Sequence, residues 1–277
     1  MSATPTATRF DCMVLRTTDG ARAEITPHGA QVLHWTTARD ASNRLYLSPG
    51  AQYHAGAAIR GGIPVLFPQF GLFGPLPKHG LVRTRQWAVD ATAPDRVRLV
   101  LRDDDASRAR WPHAFQLALT ISLAASSLTL ALEIGNTGTS PFTFTAGLHG
   151  YFAVADVQAS ALAGLSGLEY LDATRGLARH REHAGTLTVD GEIDRVYLAA
   201  GTPLTLRDGV RATRFTQRGF SDVVVWNPGP QARLPDLPAG EHRRMICVEA
   251  AQIAEPVTLV PGGRWHGTQA LQALEPA

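Results

Sequence analysis

The sequence predicts an all-β protein, a large antiparallel β-sandwich with few short helices. Three observations carry that expectation. Apolar side chains recur at every second residue over many short runs, and long segments with a 3.6-residue period are nearly absent. The 26 glycines and 18 prolines fall mostly between the apolar runs, where turns need them. Many short strands with turn signals between them suit a sandwich or barrel rather than alternating βαβ units. The chain has 277 residues, 44% of them apolar and 18% charged, which fits one soluble domain spanning 1–277 with a large core. Residues 1–8 and 275–277 are expected to fray.

Taken in order, the first strand candidate is 32–36. Segment 59–85, IRGGIPVLFPQFGLFGPLPKHGLVRTR, follows as a long irregular loop. It holds four prolines, Phe-Gly pairs and several cations, too apolar for a linker and too aperiodic for a core strand. A loop of this length and composition is usually kept because it binds something. In 97–102, Val97, Leu99 and Leu101 alternate with Arg98, Val100 and Arg102. Leu117, Leu119, Ile121 and Leu123 share one face, and Leu128, Leu130, Leu132 and Ile134 resume it after a break at 124–127, which reads as a hairpin. Phe142 and Phe144 alternate with Thr143 and Thr145; further strands are expected at 196–198, 223–226 and 245–249.

Composition excludes several classes. A formal net charge of +2 with scattered basic residues gives no reason to expect nucleic acid or a membrane surface as partner. Cys12 and Cys247 are the only cysteines, so a disulfide framework is not expected and a reducing compartment fits. The opening MSATPTATRFDCM lacks the blocks of a secretory signal, and no apolar run approaches the ~20 residues of a membrane span. The expectation is a cytoplasmic protein, a monomer or weak dimer.

Two residues stand out as proton-transfer candidates. Glu249 closes the run 245–249, where Met245, Cys247 and Glu249 face one way on a strand. A carboxylate on that apolar side is costly unless it is hydrogen-bonded or faces a cavity, so it reads either as a general base or acid or as a strand-end side chain pointing to water. His149 continues the face of Thr143, Thr145 and Gly147, opposite Phe142, Phe144, Ala146 and Leu148. It reads either as the floor of a cleft or as a surface histidine at a strand end; imidazole is the side chain best able to exchange a proton near neutral pH. His79 and Arg83 sit in KHGLVR, where Pro77 and Gly80 favour a turn over a helix. With Arg60 and Lys78 they form either a solvated basic loop or a rim of donors for hydroxyl or phosphate oxygens. Asp194 precedes a strand and is either part of a turn or ion pair, or an acceptor for a polyhydroxylated ligand. His180 and His183 lack the companions a metal site needs, so no metal is expected there.

Other signatures are missing. There is no Gly-Lys-Ser/Thr after the glycine-rich segment, no G-x-S-x-G and no G-x-G-x-x-G, so neither a phosphate-binding P-loop nor a dinucleotide site is expected. Several ordered blocks remain: IRGGIP at 59–64, FPQFG at 67–71, LPKHG at 76–80 with Arg83 and Trp87, Leu148-His149 with Tyr151-Phe152, IDRVY at 193–197, DVVVWNP at 222–228, Cys247-Val248-Glu249 and Pro261-Gly262. In these blocks the chain resembles the aldose 1-epimerases (mutarotases), and within them the branch of glucose-6-phosphate 1-epimerases, or hexose-6-phosphate mutarotases.

The resemblance covers most of the chain and implies a galactose-mutarotase-like antiparallel sandwich, in agreement with the alternation. It implies His149 and Glu249 as catalytic residues and Arg60, Lys78, His79, Arg83 and Asp194 as substrate-binding ones. It implies a sugar or sugar phosphate as ligand and no cofactor. Three positions depart from the family's habit: Lys78 where the branch more often has glutamine, Gly150 where a threonine is common, and PGGRWHG at 261–267, where an acidic residue often follows the first glycine. The implied chemistry sets an acid and a base on opposite sides of an anomeric centre. Rival readings are an epimerase of unphosphorylated aldoses, a non-catalytic sugar-binding sandwich, and a glycoside hydrolase, which usually needs two carboxylates rather than one.

Overall fold

The alternation read along the chain becomes two large antiparallel sheets whose apolar faces meet. The structure, a computed structural model, describes residues 10–201 and 203–274. The expected frayed ends, 1–8 and 275–277, lie outside the described residues. In chain order the strands begin with β1 (Met13–Arg16), β2 (Arg22–Thr26), β3 (Gln31–Thr36), β4 (Val65–Leu66), β5 (Ala88–Ala93) and β6 (Arg96–Arg102). Then come β7 (Phe115–Leu123), β8 (Ser127–Asn136), β9 (Phe142–Leu148), β10 (Tyr151–Ala153), β11 (Ala161–Ala163), β12 (Glu169–Asp172) and β13 (Ala178–Arg181). The last are β14 (Thr186–Leu187), β15 (Ile193–Tyr197), β16 (Leu204–Asp208), β17 (Arg211–Arg218), β18 (Asp222–Asn227), β19 (Met245–Leu259) and β20 (Arg264–Leu274). Helical structure is limited to α1 (Asp105–Arg108), capped by the Asp104 carboxylate, and three short 3-10 turns. Among the described residues no helix is long and apolar enough to cross a membrane.

One sheet runs β14-β11-β16-β17-β20-β8-β7-β6-β5. The second runs β13-β12-β15-β18-β19-β9-β4, with β10 also paired to β19, and β1-β2-β3 form a small third sheet. The expected hairpin is β7-β8, with Leu123 opposite Leu128. Strands β5, β13 and β14 lie at sheet edges. Every residue of β5 is exposed, so it carries no apolar alternation to read.

The core lies between the two large sheets. Phe144, Ala146 and Leu148 of β9, Val223 and Val225 of β18, and Ile246, Val248 and Ala250 of β19 belong to the same buried cluster as Leu119 of β7, Leu132 of β8, Phe215 of β17 and Leu271 of β20. Fully burying one such side chain is worth about 1.5–3 kcal/mol. The intervening residues of the same strands, including Val224, Trp226, Cys247, Glu249 and Ala251, therefore point to the other side of the eight-stranded sheet. That side is covered as well. Leu66 and Phe70 of the 59–85 loop pack on Val196, Val224, Ala251 and Ile253, and Leu237 packs with Tyr46, Tyr151 and Cys247. Burial on both faces explains why 245–251 reads as a nearly unbroken apolar run interrupted by one glutamate.

The 59–85 loop is anchored to the end of β9. Phe70 N–H donates to Thr145 Oγ1 at 2.8 Å, Thr145 N–H to the Pro68 carbonyl at 3.0 Å, and His149 N–H to the Pro64 carbonyl at 3.0 Å. The Gln69 amide staples the loop to itself, donating to the Gly71 and Leu76 carbonyls and accepting from Leu76 N–H. Glycine is required at 80: φ is +74° and a Cβ would stand 2.2 Å from the Phe67 carbonyl oxygen. Gly147 makes room for the Phe70 ring, which a Cβ would meet at 2.6 Å. The small polar face of β9 is thus the seat of the loop, not the open floor of a cleft. His149 of that face lines one cavity, whereas Thr143 and Thr145 line a separate hollow beside Phe73 and Trp111.

Candidate active site

Strand register assembles the site. Asp194 on β15 lies opposite Trp226 on β18, Trp226 opposite Cys247 on β19, and Cys247 opposite Tyr151 on β10. One step along, Val196 pairs with Val224 and Val224 with Glu249. Because side chains alternate, Asp194, Trp226 and Glu249 share the face that the loop covers. A cavity of about 270 Å³ lies between them, lined by Arg60, Phe70, Lys78, His79, His149, Asp194, Trp226 and Glu249 among others. Its volume suits a small ligand.

Glu249 is not a strand-end side chain. Strand β19 runs on to Leu259, and the glutamate is 1% exposed. His149 lies one residue past the end of β9 and is buried too. His149 Nδ1 is 3.3 Å from Glu249 Oε1, so residues a hundred positions apart meet in one hollow. The approach is close but not aligned as a hydrogen bond. His149 Nδ1 and Glu249 Oε2 are both buried without a hydrogen-bond partner. Buried polar atoms are rarely left so, and a polar ligand in the cavity would supply the missing partners. The pair sits side by side on one wall of the cavity.

Aromatic rings hold the imidazole. His149 stacks on Tyr151 at 4.6 Å with planes 3° apart, and Trp226 meets it edge-on at 6.0 Å. His79 approaches at 5.3 Å. Gly71 N–H donates to His79 Nδ1 at 3.2 Å, so a neutral His79 carries its proton on Nε2. Its pKa falls to about 2, because it is buried and lies near Arg83, Lys78 and Arg60. Burial also pushes His149 well below the usual imidazole range, with His79 and the same three cations adding to the effect. Burial raises Glu249 well above the ordinary carboxyl range, Asp194 adds to the rise, and Lys78 opposes it. Buried as they are, both groups favour their uncharged forms. Asp194 is raised to about 6, chiefly by burial, against the pull of Lys78.

The cations divide between two hollows. Arg60 and Lys78 line the first cavity, whereas Arg83 lines a neighbouring one of about 380 Å³ that also contains Arg60. Arg60 is held rigidly: its Nε and Nη2 donate to Asp236 Oδ1 at 3.1 and 3.0 Å, and its Nη1 to the Tyr151 hydroxyl at 3.0 Å. Asp194 is neither in a turn nor in an ion pair with its neighbour: Arg195 pairs with Glu182 at 2.9 Å on the other face of the sheet. His180 packs on Tyr170, away from the cavity.

Sequence reasoning missed Asp236, Tyr151 and the apolar wall of Phe70, Phe73 and Trp226. A signal existed for Tyr151, which shares its face with His149 two residues before it. For Asp236, in a loop with no period, there was none.

Comparison with known proteins adds the following. A sequence profile described as Aldose 1-epimerase matches residues 11–272. A protein of Cenchrus ciliaris named "Putative glucose-6-phosphate 1-epimerase" is 35% identical, the alignment covering 97% of this chain and 86% of that one. An Escherichia coli K12 protein of the same name is 30% identical, covering 92% and 87%. A crystal structure of a "putative mutarotase" from Salmonella typhimurium superposes with a TM-score of 0.86 at 26% identity, covering 99% of this chain and 95% of that one.

Proposed function

The chain belongs to the aldose 1-epimerase family, and from that premise we propose that its cavity interconverts the α and β anomers of a hexose 6-phosphate by acid/base opening and closure of the ring. The observation that carries the reading is the His149–Glu249 pair, 3.3 Å apart in one cavity with an unpartnered polar atom on each residue. The two oxygens that must exchange protons, O1 and O5, are bonded to the same carbon. An acid and a base standing side by side therefore fit them better than an acid and a base across the ring.

In the proposed cycle the sugar lies over the pair. Glu249 takes the proton of the C1 hydroxyl, the C1–O5 bond breaks, and His149 gives a proton to O5. C1 becomes an aldehyde carbonyl. Rotation about C1–C2 turns its other face toward O5, and the ring closes with both proton transfers reversed. The pair needs one proton between its two members. Burial favours the uncharged arrangement, and transfer across the 3.3 Å contact yields the carboxylate and imidazolium that start the cycle. Positioned proton transfer is worth ~10²–10⁴-fold, and orientation of the sugar supplies the rest. His79 Nε2–H and the Asp194 carboxyl offer a donor and an acceptor to the sugar hydroxyls, and Trp226 offers an apolar ring face.

Arg60, Lys78 and Arg83 support a phosphorylated substrate. A guanidinium fixed by Asp236 and Tyr151 is preorganised for a phosphate oxygen. The hollow shared by Arg60 and Arg83 adjoins the one that holds the proton-transfer pair.

Exchange between anomers, followed by NMR on glucose and on glucose 6-phosphate, tests the proposal. Glu249→Gln is expected to nearly abolish exchange while sugar binding stays measurable, and His149→Ala to do the same. Arg60→Ala and Arg83→Ala are expected to slow only the phosphorylated substrate. Wild-type exchange rates in Glu249→Gln would overturn the catalytic assignment. Equal effects of the arginine changes on both sugars would overturn the phosphate assignment.

A further inference from the structure

Cys247 is the one chemically reactive side chain beside the pair that the proposed reaction leaves unused. It lies two residues before Glu249 on β19, is fully buried, and faces the same side of the sheet. One ligand atom each of His149, Cys247 and Glu249 lies within 4.8 Å of the other two. An imidazole nitrogen, a sulfur and a carboxylate oxygen make a donor set suited to Zn²⁺, and less so to Mg²⁺ or Ca²⁺, which prefer oxygen alone.

The spacing agrees. With metal–nitrogen and metal–oxygen bonds of roughly 2.0–2.1 Å, the edge of a tetrahedral site is about 3.3 Å. His149 Nδ1 and Glu249 Oε1 already stand 3.3 Å apart. The sulfur edges need about 3.6 Å, so side-chain rotations of about an ångström close the set. His149 Nδ1 and Glu249 Oε2 have no hydrogen-bond partner in the protein, so a metal displaces no hydrogen bond in reaching them.

We propose that His149, Cys247 and Glu249 form a capture site for a single thiophilic divalent cation, with Zn²⁺ as the preferred occupant, and that its occupation shuts the enzyme off. The metal takes the lone pairs through which His149 and Glu249 would move protons. Binding forms one metal–nitrogen, one metal–sulfur and one metal–oxygen bond. The thiol gives its proton to solvent, and so does the carboxyl if it is protonated. The resulting complex, Zn²⁺ with a thiolate and a carboxylate, is formally neutral. That matters because Arg60 and Lys78 line the same cavity and repel an uncompensated dication. The fourth position is left for water. The metal-binding half of the proposal rests on geometry alone; the inhibitory half rests on the proposed epimerase activity.

Co²⁺ replaces Zn²⁺ in such sites and reports a thiolate ligand by a charge-transfer band in the near ultraviolet. The full-length protein, first treated with a chelator, is titrated with Co²⁺ and then back-titrated with Zn²⁺. The expected result is a charge-transfer band that saturates at one equivalent and is erased by Zn²⁺. Cys247→Ser, which keeps size and shape, is expected to lose the band. It should bind Zn²⁺ at least about a hundredfold more weakly, since even loss of an outer partner of a metal ligand costs about 10–100-fold. In the exchange assay Zn²⁺ should inhibit the wild type reversibly, with recovery on chelation, while Mg²⁺ has no effect. Cys247→Ser should keep its zinc-free rate and resist Zn²⁺. Absence of the charge-transfer band in the wild type overturns the site, whether or not the variant folds. Zn²⁺ inhibition of equal strength in Cys247→Ser overturns it as well. If the wild type exchanges no anomer of any sugar, the epimerase reading fails and the cobalt spectrum still decides the metal site.

Discussion

Replacing Asp194 by asparagine should stabilise the protein, and by an amount that depends on pH in a calculable way. The carboxyl is partly buried on β15 and its pKa stands at about 6 against an ordinary 3.8, chiefly because burial penalises its charge. The folded state thus holds the proton roughly a hundredfold more tightly than the unfolded chain. A tenfold change in that constant is worth about 1.4 kcal/mol, so ionisation of Asp194 costs the fold about 3 kcal/mol at most. The sign follows from linkage: a raised pKa means the native state binds more protons, so stability is full below the unfolded value and falls as pH rises through the folded one. The ceiling on the loss is about 0.6 kcal/mol at pH 4, about 1.6 at pH 5 and about 3 above pH 7. Residual contact with water lowers these to about half. Asparagine has nearly the same shape and never ionises. In the sugar-free protein, Asp194→Asn should therefore melt within a degree or two of the wild type at pH 4. At pH 8 it should melt about 3–8 °C higher, at about 2–3 °C per kcal/mol for a domain of this size. Calorimetry or circular dichroism across that range is the assay. A variant less stable than the wild type at pH 8, or a gap that does not change with pH, refutes the desolvation argument. The same variant should bind sugar worse, since Asp194 is proposed to accept from a sugar hydroxyl; stability and function would then pull on one residue in opposite directions.

Three further outcomes are expected. Gly147→Ala puts a methyl group 2.6 Å from the Phe70 ring, so it should dislodge the 59–85 loop; loss of Phe70 protection in hydrogen exchange and a drop in exchange rate of tenfold or more, of about the size a misplaced site produces, would report it. Asp236→Ala frees Arg60 from its two hydrogen bonds to that carboxylate; KM for the phosphorylated sugar should rise about tenfold with kcat little changed, while kinetics on unphosphorylated sugar stay the same. Asp222 is 1% exposed and accepts from Ile253 and Ala254 N–H at 2.9 and 2.8 Å, where β19 shifts register against β9; Asp222→Ala leaves the buried Ile253 donor unpaired and should cost about 1–3 kcal/mol in chemical denaturation.

The fold was legible where a strand is buried on one face and alternates. Leu117 to Ile134 announced the β7-β8 hairpin, and the pairing Leu123–Leu128 followed from the break between the runs. It was illegible at β5 and β13, edge strands whose side chains are mostly in water on both faces and so carry no period. The length of β19 was also hidden. Beyond Ala251 the apolar run turns polar, Pro256 intervenes, and the strand continues only because β9 bonds it on past a register shift.

Period-two chemistry, a local property of the backbone, was enough for the sequence by itself to determine an antiparallel all-β protein and to assign His149 to the face opposite the phenylalanines; it put Glu249 on the apolar side of its strand and left open whether the carboxylate met a cavity or water. The tertiary structure alone decided what those faces look onto. Register across three strands put Asp194, Trp226, Cys247 and Glu249 on one surface, and the loop seated on Gly147 covers part of it. Burial is what shifts His149 and Glu249 toward their uncharged forms, and strand geometry is what sets them side by side at 3.3 Å. Desolvation and contact are sums over neighbours distant in the chain, so no local pattern encodes them.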